Sequence, residues 1–291
     1  MKHLFTTLAL CFSAGLCAAQ TDTTAAPVLS VDSANTLQTA LAPARDSVVA
    51  PAPEVFRKNS IKMNLSSLAF SNYSFSYERA IARKITLVGG YSFMPETQIS
   101  SIPVVDKALE MTSDTEGMDS DDFEDAFKKG NAAATAFTGE IRFYTGKKPG
   151  ARGFYASLYG RYTTMDLSYL DVYEDALGME HDLPYKASLK GLSGGIMLGA
   201  QWLIAKRVTF DWYIVGGHYG NVTGDMTAKV DLSMLSEQDK AELEQEVEDI
   251  FEYSDGKSYV DATVNDNGMF GKVKGPFGGI RAVGFNLGIA F

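Results

Sequence analysis

Cysteine is nearly missing from this chain of 291 residues: Cys11 and Cys17 are the only two. Beyond that start there is no material for a disulfide scaffold or for thiol catalysis. Histidine is almost as scarce, with His3, His181 and His218 making up the whole set. So few imidazoles leave little for a histidine metal centre or an acid–base relay. No segment offers the run of about 20 apolar residues that a membrane-crossing helix needs. Basic charge is also short, with 26 Lys and Arg against 36 Asp and Glu. That balance disfavours nucleic acid as a partner, because acidic surfaces repel phosphate.

What the chain does have is alternation. Tyr73, Phe75 and Tyr77 alternate with Ser74, Ser76 and Glu78. Phe137, Gly139, Ile141 and Phe143 alternate with Thr138, Glu140 and Arg142. Val208, Phe210, Trp212 and Ile214 alternate with Thr209, Asp211 and Tyr213. A period of two is the mark of a strand with unlike faces. Eight such strands are expected, at Ile61–Phe70, Tyr73–Ala82, Ile85–Met94, Ala132–Tyr144, Phe154–Leu167, Ala187–Ile204, Val208–Tyr219 and Phe277–Phe291. The connections after the second, fourth and sixth are short. Those after the third, fifth and seventh are long, at Pro95–Asn131, Ser168–Lys186 and Gly220–Pro276. The first hairpin, at Ser71–Asn72, is a short exception among them.

Both ends fit one location. Lys2 and His3 precede an apolar run from Leu4 to Leu16, and Cys17-Ala18-Ala19 supplies small residues before Gln20. This reads as a secretory signal peptide over residues 1–19, with both cysteines inside it. Residues 20–58 are rich in Ala, Thr, Ser and Pro and read as a flexible periplasmic segment. The chain closes on Phe285, Leu287, Ile289 and Phe291 at every second position. A bare apolar edge is a hazard in water, whereas in a closed membrane sheet it pairs with the first strand. That ending resembles the C-terminal signal that barrel-assembly machinery reads. The expected fold is therefore all-β, an eight-stranded antiparallel up-and-down transmembrane β-barrel over residues 59–291. Short helices are expected in its long extracellular loops, and the expected location is the outer membrane of a Gram-negative cell.

Charge is sorted along the chain. Pro95–Asn131, Ser168–Lys186 and Gly220–Asp255 hold 26 of the 36 acidic residues and only 6 of the 26 basic ones. The acidic run Asp119, Asp121, Asp122, Glu124 and Asp125 lacks the glycine and terminal Glu of an EF-hand loop, so a solvated face is expected and no metal or cofactor. Ser236 and Asp239 open a helix with Ala241, Leu243, Val247, Ile250 and Phe251 as its apolar stripe. A shorter helix is expected over Asp121–Lys129.

Inside so narrow a ring, charges must pair. Glu78, Glu140, Arg142, Arg161 and Asp211 have the polar parity and are expected to form an ion-pair network, with Lys62, Asn64, Gln201 and Asn286 as further candidates. His218 is expected on the lipid face. Its setting, His218-Tyr219-Gly220-Asn221, weakly resembles the His-x-Ser-Asn motif of lipid A deacylases, but Gly220 stands where that motif needs its serine nucleophile.

Lys62-Met63-Asn64-Leu65-Ser66-Ser67-Leu68 and Tyr73-Ser74-Phe75-Ser76-Tyr77-Glu78-Arg79-Ala80 are joined to Gly139-Glu140-Ile141-Arg142-Phe143-Tyr144 and Arg152-Gly153-Phe154-Tyr155. This set resembles a family of small outer-membrane barrels of unknown function, and the architecture resembles OmpA-type barrels. The resemblance implies fold and location but no activity. The expected role is structural or surface-interacting, through the acidic loops, without catalysis. Expected partners are outer-membrane lipid, lipopolysaccharide, the assembly machinery and an extracellular ligand of unassigned chemistry. A lipid A-modifying hydrolase and a narrow channel are the alternatives.

Overall fold

Alternation carries most of the described chain into strands. The computed structural model describes residues 56–105, 130–174, 180–254 and 256–291. The expected signal peptide, nearly all of the 20–58 segment, the acidic run from Asp119 to Asp125 and the short helix over Asp121–Lys129 lie outside these residues. The strands are β1 (Asn59–Asn64), β2 (Tyr73–Ala80), β3 (Ile85–Gln98), β4 (Gly130–Tyr144), β5 (Gly153–Glu174), β6 (Glu180–Ile204) and β7 (Val208–Ala228). A helix α1 (Glu237–Ile250) follows. After it come β8 (Glu252–Ser254), β9 (Lys257–Ser258), β10 (Val260–Asn265) and β11 (Gly268–Ala290).

The fold is all-β and antiparallel. Neighbours in sequence pair from β1 through β7, β7 pairs with β11, and β11 returns to β1 through Ser60 opposite Ala290 and Asn64 opposite Asn286. The sheet thus closes on itself. β10 lies on the same edge of β11 as β1, further along, against Gly268–Val273. Between Val273 and Asn286 no strand pairs with that edge among the described residues. Through their backbones Lys274 and Pro276 are tied there to Tyr259, Val283 to Ser66, and Phe285 to Leu65 and Ser66.

The wall is uneven. β6 runs 25 residues and β1 only 6. At about 3.3 Å per residue these are roughly 80 Å and 20 Å. The expectation that β1 would reach Phe70 fails, because Ser66–Phe70 is a 3₁₀ turn. Asn64 accepts the Ser67 amide at 2.9 Å while the Ser67 hydroxyl donates to the Asn64 carbonyl at 2.9 Å, and such local bonds compete with a strand ladder. β5, β6, β7 and β11 instead overrun the expected loops at Ser168–Lys186 and Gly220–Pro276. They do so because their far halves enclose an apolar core of their own. Tyr185, Leu189, Val222, Met226, Met269 and Val273 face inward and meet Val247 and Phe251 of the α1 segment and Val260, Ala262 and Val264 of β10.

The α1 segment is built as its sequence suggests. The Ser236 hydroxyl accepts the Asp239 amide and the Asp239 carboxylate accepts the Ser236 amide, a reciprocal capping box. Its acidic side chains also have work inside the fold. Glu244 accepts the Val264 amide at 2.7 Å and Glu248 the Ala262 amide at 3.0 Å, which covers the free edge of β10.

Toward the β1 end the faces are sorted the other way. Tyr73, Phe75, Phe137, Phe154, Leu192 and Ile196 point outward and are exposed, while Lys62, Glu78, Arg142 and Asp211 are buried inside. Two strands switch faces part-way. On β6, Leu198 and Gly199 are adjacent, but their partners on β7 are Val215 and Tyr213, so Ile214 is a bulge. On β11, Ala282 and Gly284 pair with the same two residues and Val283 bulges, with a left-handed φ of 51°. Past these points even-numbered residues of β7 and odd-numbered residues of β11 face inward.

Candidate functional site

The interior near the β1 end is filled by one ionic cluster. Successive inward positions of a strand lie two residues apart, which puts Glu140 and Arg142 of β4 on one face. Arg142 donates to both carboxylate oxygens of Glu140, at 3.0 and 3.1 Å. Its Nη1 reaches Asp211 Oδ2 on β7 at 2.7 Å. Lys62 of β1 enters from the other side and contacts Glu78 at 2.6 Å, Asp211 at 2.8 Å and the Gln201 side chain at 2.6 Å. Two cations thus face three carboxylates, with Arg142 and Asp211 fully buried.

Hydroxyl groups complete the coordination. Thr86 and Tyr144 donate to Glu78 at 2.6 and 2.8 Å, and Tyr155 donates to Asp211 at 2.8 Å. The Arg142 guanidinium lies 4.4 Å from the Tyr155 ring centre and donates to the Tyr213 hydroxyl at 3.2 Å. A low-dielectric network is stable only when each member is so partnered. Chemically it fixes strand register and fills the cross-section.

One layer further from the β1 end the interior changes. Tyr159 of β5 bonds His218 Nδ1 of β7 at 3.2 Å. Arg281 of β11 sits over the rings of Tyr159 and Tyr213 at 5.2 and 5.3 Å. Arg161 of β5 donates to Thr163 at 3.3 Å. His218 is therefore inside the ring. The expectation of a lipid-facing His218 is overturned, because the Ile214 bulge inverts the parity on which it rested. Tyr219 takes the outward position.

Of the expected network, Glu78, Glu140, Arg142 and Asp211 are brought together, along with Lys62, Gln201 and, through a bond to the Asp211 carbonyl, Asn286. Asn64 instead caps the turn after β1. Arg161 is not in the cluster and belongs to the layer with Arg281. Leu287, Ile289 and Phe291 point outward and exposed, and Phe285 is half-buried against Phe210 and Trp212. Tyr144, Tyr155 and Arg281 were missed. For the two tyrosines the missed signal is inward parity beside buried charge. Among the described residues no group of three or more His, Cys, Asp or Glu is placed to hold a metal ion. No helix among them is long and apolar enough to cross a membrane, which says nothing of strands.

A family model described as "Protein of unknown function (DUF3575)" matches residues 47–238. No curated protein matches the chain.

Proposed function

The chain belongs to that family, and we propose that it is an outer-membrane, OmpA-like β-barrel of eight strands, β1–β7 and β11. In this reading an ion-pair plug seals the barrel and an acidic, structured head stands outside the cell. One observation carries the reading: apolar side chains ring the outside at the level where Lys62, Glu78, Arg142 and Asp211 are buried inside. In water that arrangement is the wrong way round. It would expose a continuous apolar band and desolvate charge for no gain. In lipid, with a closed hydrogen-bonded wall, both become favourable. The role proposed is surface interaction through the head, with lipid and lipopolysaccharide around the wall and assembly machinery inserting it.

A channel is disfavoured, because the Arg142 and Lys62 contacts span the interior from β1 to β4 and β7. A hydrolase working on lipid at the outer wall loses its base, because His218 is turned inward against Tyr159.

Single-cysteine labelling tests location and orientation. Glu242 on α1 and Lys206 in the turn between β6 and β7 are both exposed. On intact cells a membrane-impermeant maleimide should label Glu242→Cys. Lys206→Cys should label only after permeabilisation, and the parent chain should stay unlabelled once its signal peptide is removed. Labelling of Lys206→Cys alone on intact cells would overturn the orientation. Recovery of the chain in a soluble fraction would overturn the barrel in the membrane.

A further inference from the structure

Between the ionic plug and the apolar head lies an interior layer in which the described residues place two arginines and no carboxylate. Arg161 and Arg281 both face inward, and Arg281 sits 5.2 Å from the ring centre of Tyr159, the inward position next to Arg161 on β5, so the two like charges repel. Among the described residues neither makes an ion pair. Their contacts are a hydroxyl and two phenol rings. Like charges placed together inside a fold cost free energy unless something of opposite sign completes them. The five charges of the plug do not do so, since its carboxylates are already taken by Arg142 and Lys62.

The layer also has room. An added methyl on Gly90, two strands from Arg161 along the ladder, has Thr138 and the Phe75 carbonyl as its three nearest contacts, at 3.6–3.8 Å. Gly90 pairs with Thr138, which pairs with Arg161. Arg161, Arg281 and His218 are each only half-buried. Two breaks in the wall give access: the low β1–β2 hairpin, and the edge of β11 around Arg281, which no strand covers among the described residues.

The geometry points to an anion site in this layer, built by Arg161 and Arg281 with His218, that takes a phosphate group from the outer side. Two guanidinium forks offer several N–H donors to a tetrahedral oxyanion, the pairing for which Arg is best suited. The Nδ1 of His218 is engaged by Tyr159, which leaves Nε2 for the ligand. The phosphate is either a free solute or a lipid headgroup reached through the uncovered edge of β11. This inference does not depend on membrane insertion, so labelling and binding can fail separately.

The test is titration of the full chain, folded in neutral detergent, with inorganic phosphate by calorimetry at low ionic strength. The expected result is saturable binding that weakens at least about 10-fold in Arg281→Gln and in Arg161→Gln, the scale of one lost charge-assisted contact. A folded state that resists SDS until heated checks each variant. Arg281→Lys, which keeps the charge without the fork, should bind with intermediate strength and serves if the glutamine variant does not fold. A short-chain phospholipid that competes with phosphate would assign the site to a headgroup, and lack of competition would assign it to a solute. Absence of saturable phosphate binding in the parent, or binding unchanged in the folded arginine variants, would overturn the site.

Discussion

Arg142→Met is the sharpest test of the ionic plug. The guanidinium holds Glu140 through two bonds and Asp211 through a third, and it is fully buried. Its removal leaves Glu78, Glu140 and Asp211 facing Lys62 alone. Lys62 contacts Glu78 and Asp211, so Glu140 is the group left without its cation. Breaking a buried pair on one side costs about 3–5 kcal/mol, most of it the uncompensated charge. Glu140→Gln in the same chain removes that charge, and the double variant should regain about 2 kcal/mol of the loss. The assay is urea unfolding of the detergent-folded protein, followed by the fluorescence of Trp202 and Trp212. Retention of parent stability within about 1 kcal/mol by Arg142→Met would refute the argument. So would a double variant no more stable than the single one.

Two further outcomes follow from packing. Gly199→Val should abolish the folded state, since even a methyl there would overlap the Tyr155 ring and the Trp212 carbonyl; a folded, SDS-resistant band at parent yield would contradict it. Glu244→Ala with Glu248→Ala should speed hydrogen exchange at the amides of Val264 and Ala262 by at least about 10-fold while the β1–β4 amides stay protected; equal exchange would mean that those carboxylates do not guard the edge of β10.

The strands of the β1 end were legible because one face is apolar and the other polar without interruption. Glu78, Glu140, Arg142 and Asp211 could be assigned to the interior on parity alone. Their pairing could not be read, because it depends on which strands meet across the ring: Lys62 and Asp211 are 149 positions apart. Tyr144 and Tyr155 were missed for a related reason. A tyrosine fits an outward aromatic position as well as an inward one, and only the nearby carboxylate decides which. The α1 segment was legible down to its capping box, but not the use of Glu244 and Glu248 as acceptors for β10. An acidic helix face looks solvated until the strand it guards is known.

The far halves of the strands show why alternation gives faces only until a bulge intervenes. On β7 most apolar residues keep even numbers, Phe210 and Trp212 near the plug, then Val222, Met226 and Ala228 in the head, with Val215 and Tyr219 as odd exceptions between them. The pattern reads as one face. The Ile214 bulge turns that face over, so the first pair lies outside and the last three lie inside. β11 behaves alike across Val283, with Leu287 and Ile289 outward and Met269 and Val273 inward, all odd. β6 carries no extra residue of its own there, and its apolar phase changes openly, from Tyr185 and Leu189 to Leu192, Ile196, Leu198 and Trp202. The strand without an extra residue therefore marks in sequence the level at which the wall ceases to face lipid in the proposed barrel and begins to enclose a water-facing head. Pairing carries that level across to Asn221 and Gly224 of β7, beyond the Ile214 bulge, which lies opposite Leu198 and Gly199. Arg161, His218 and Arg281, which pair with Ser193, Gly195 and Gly216, lie between the bulge and that crossover. The phosphate site proposed there thus falls just on the plug side of the level where the outer face passes from lipid to water.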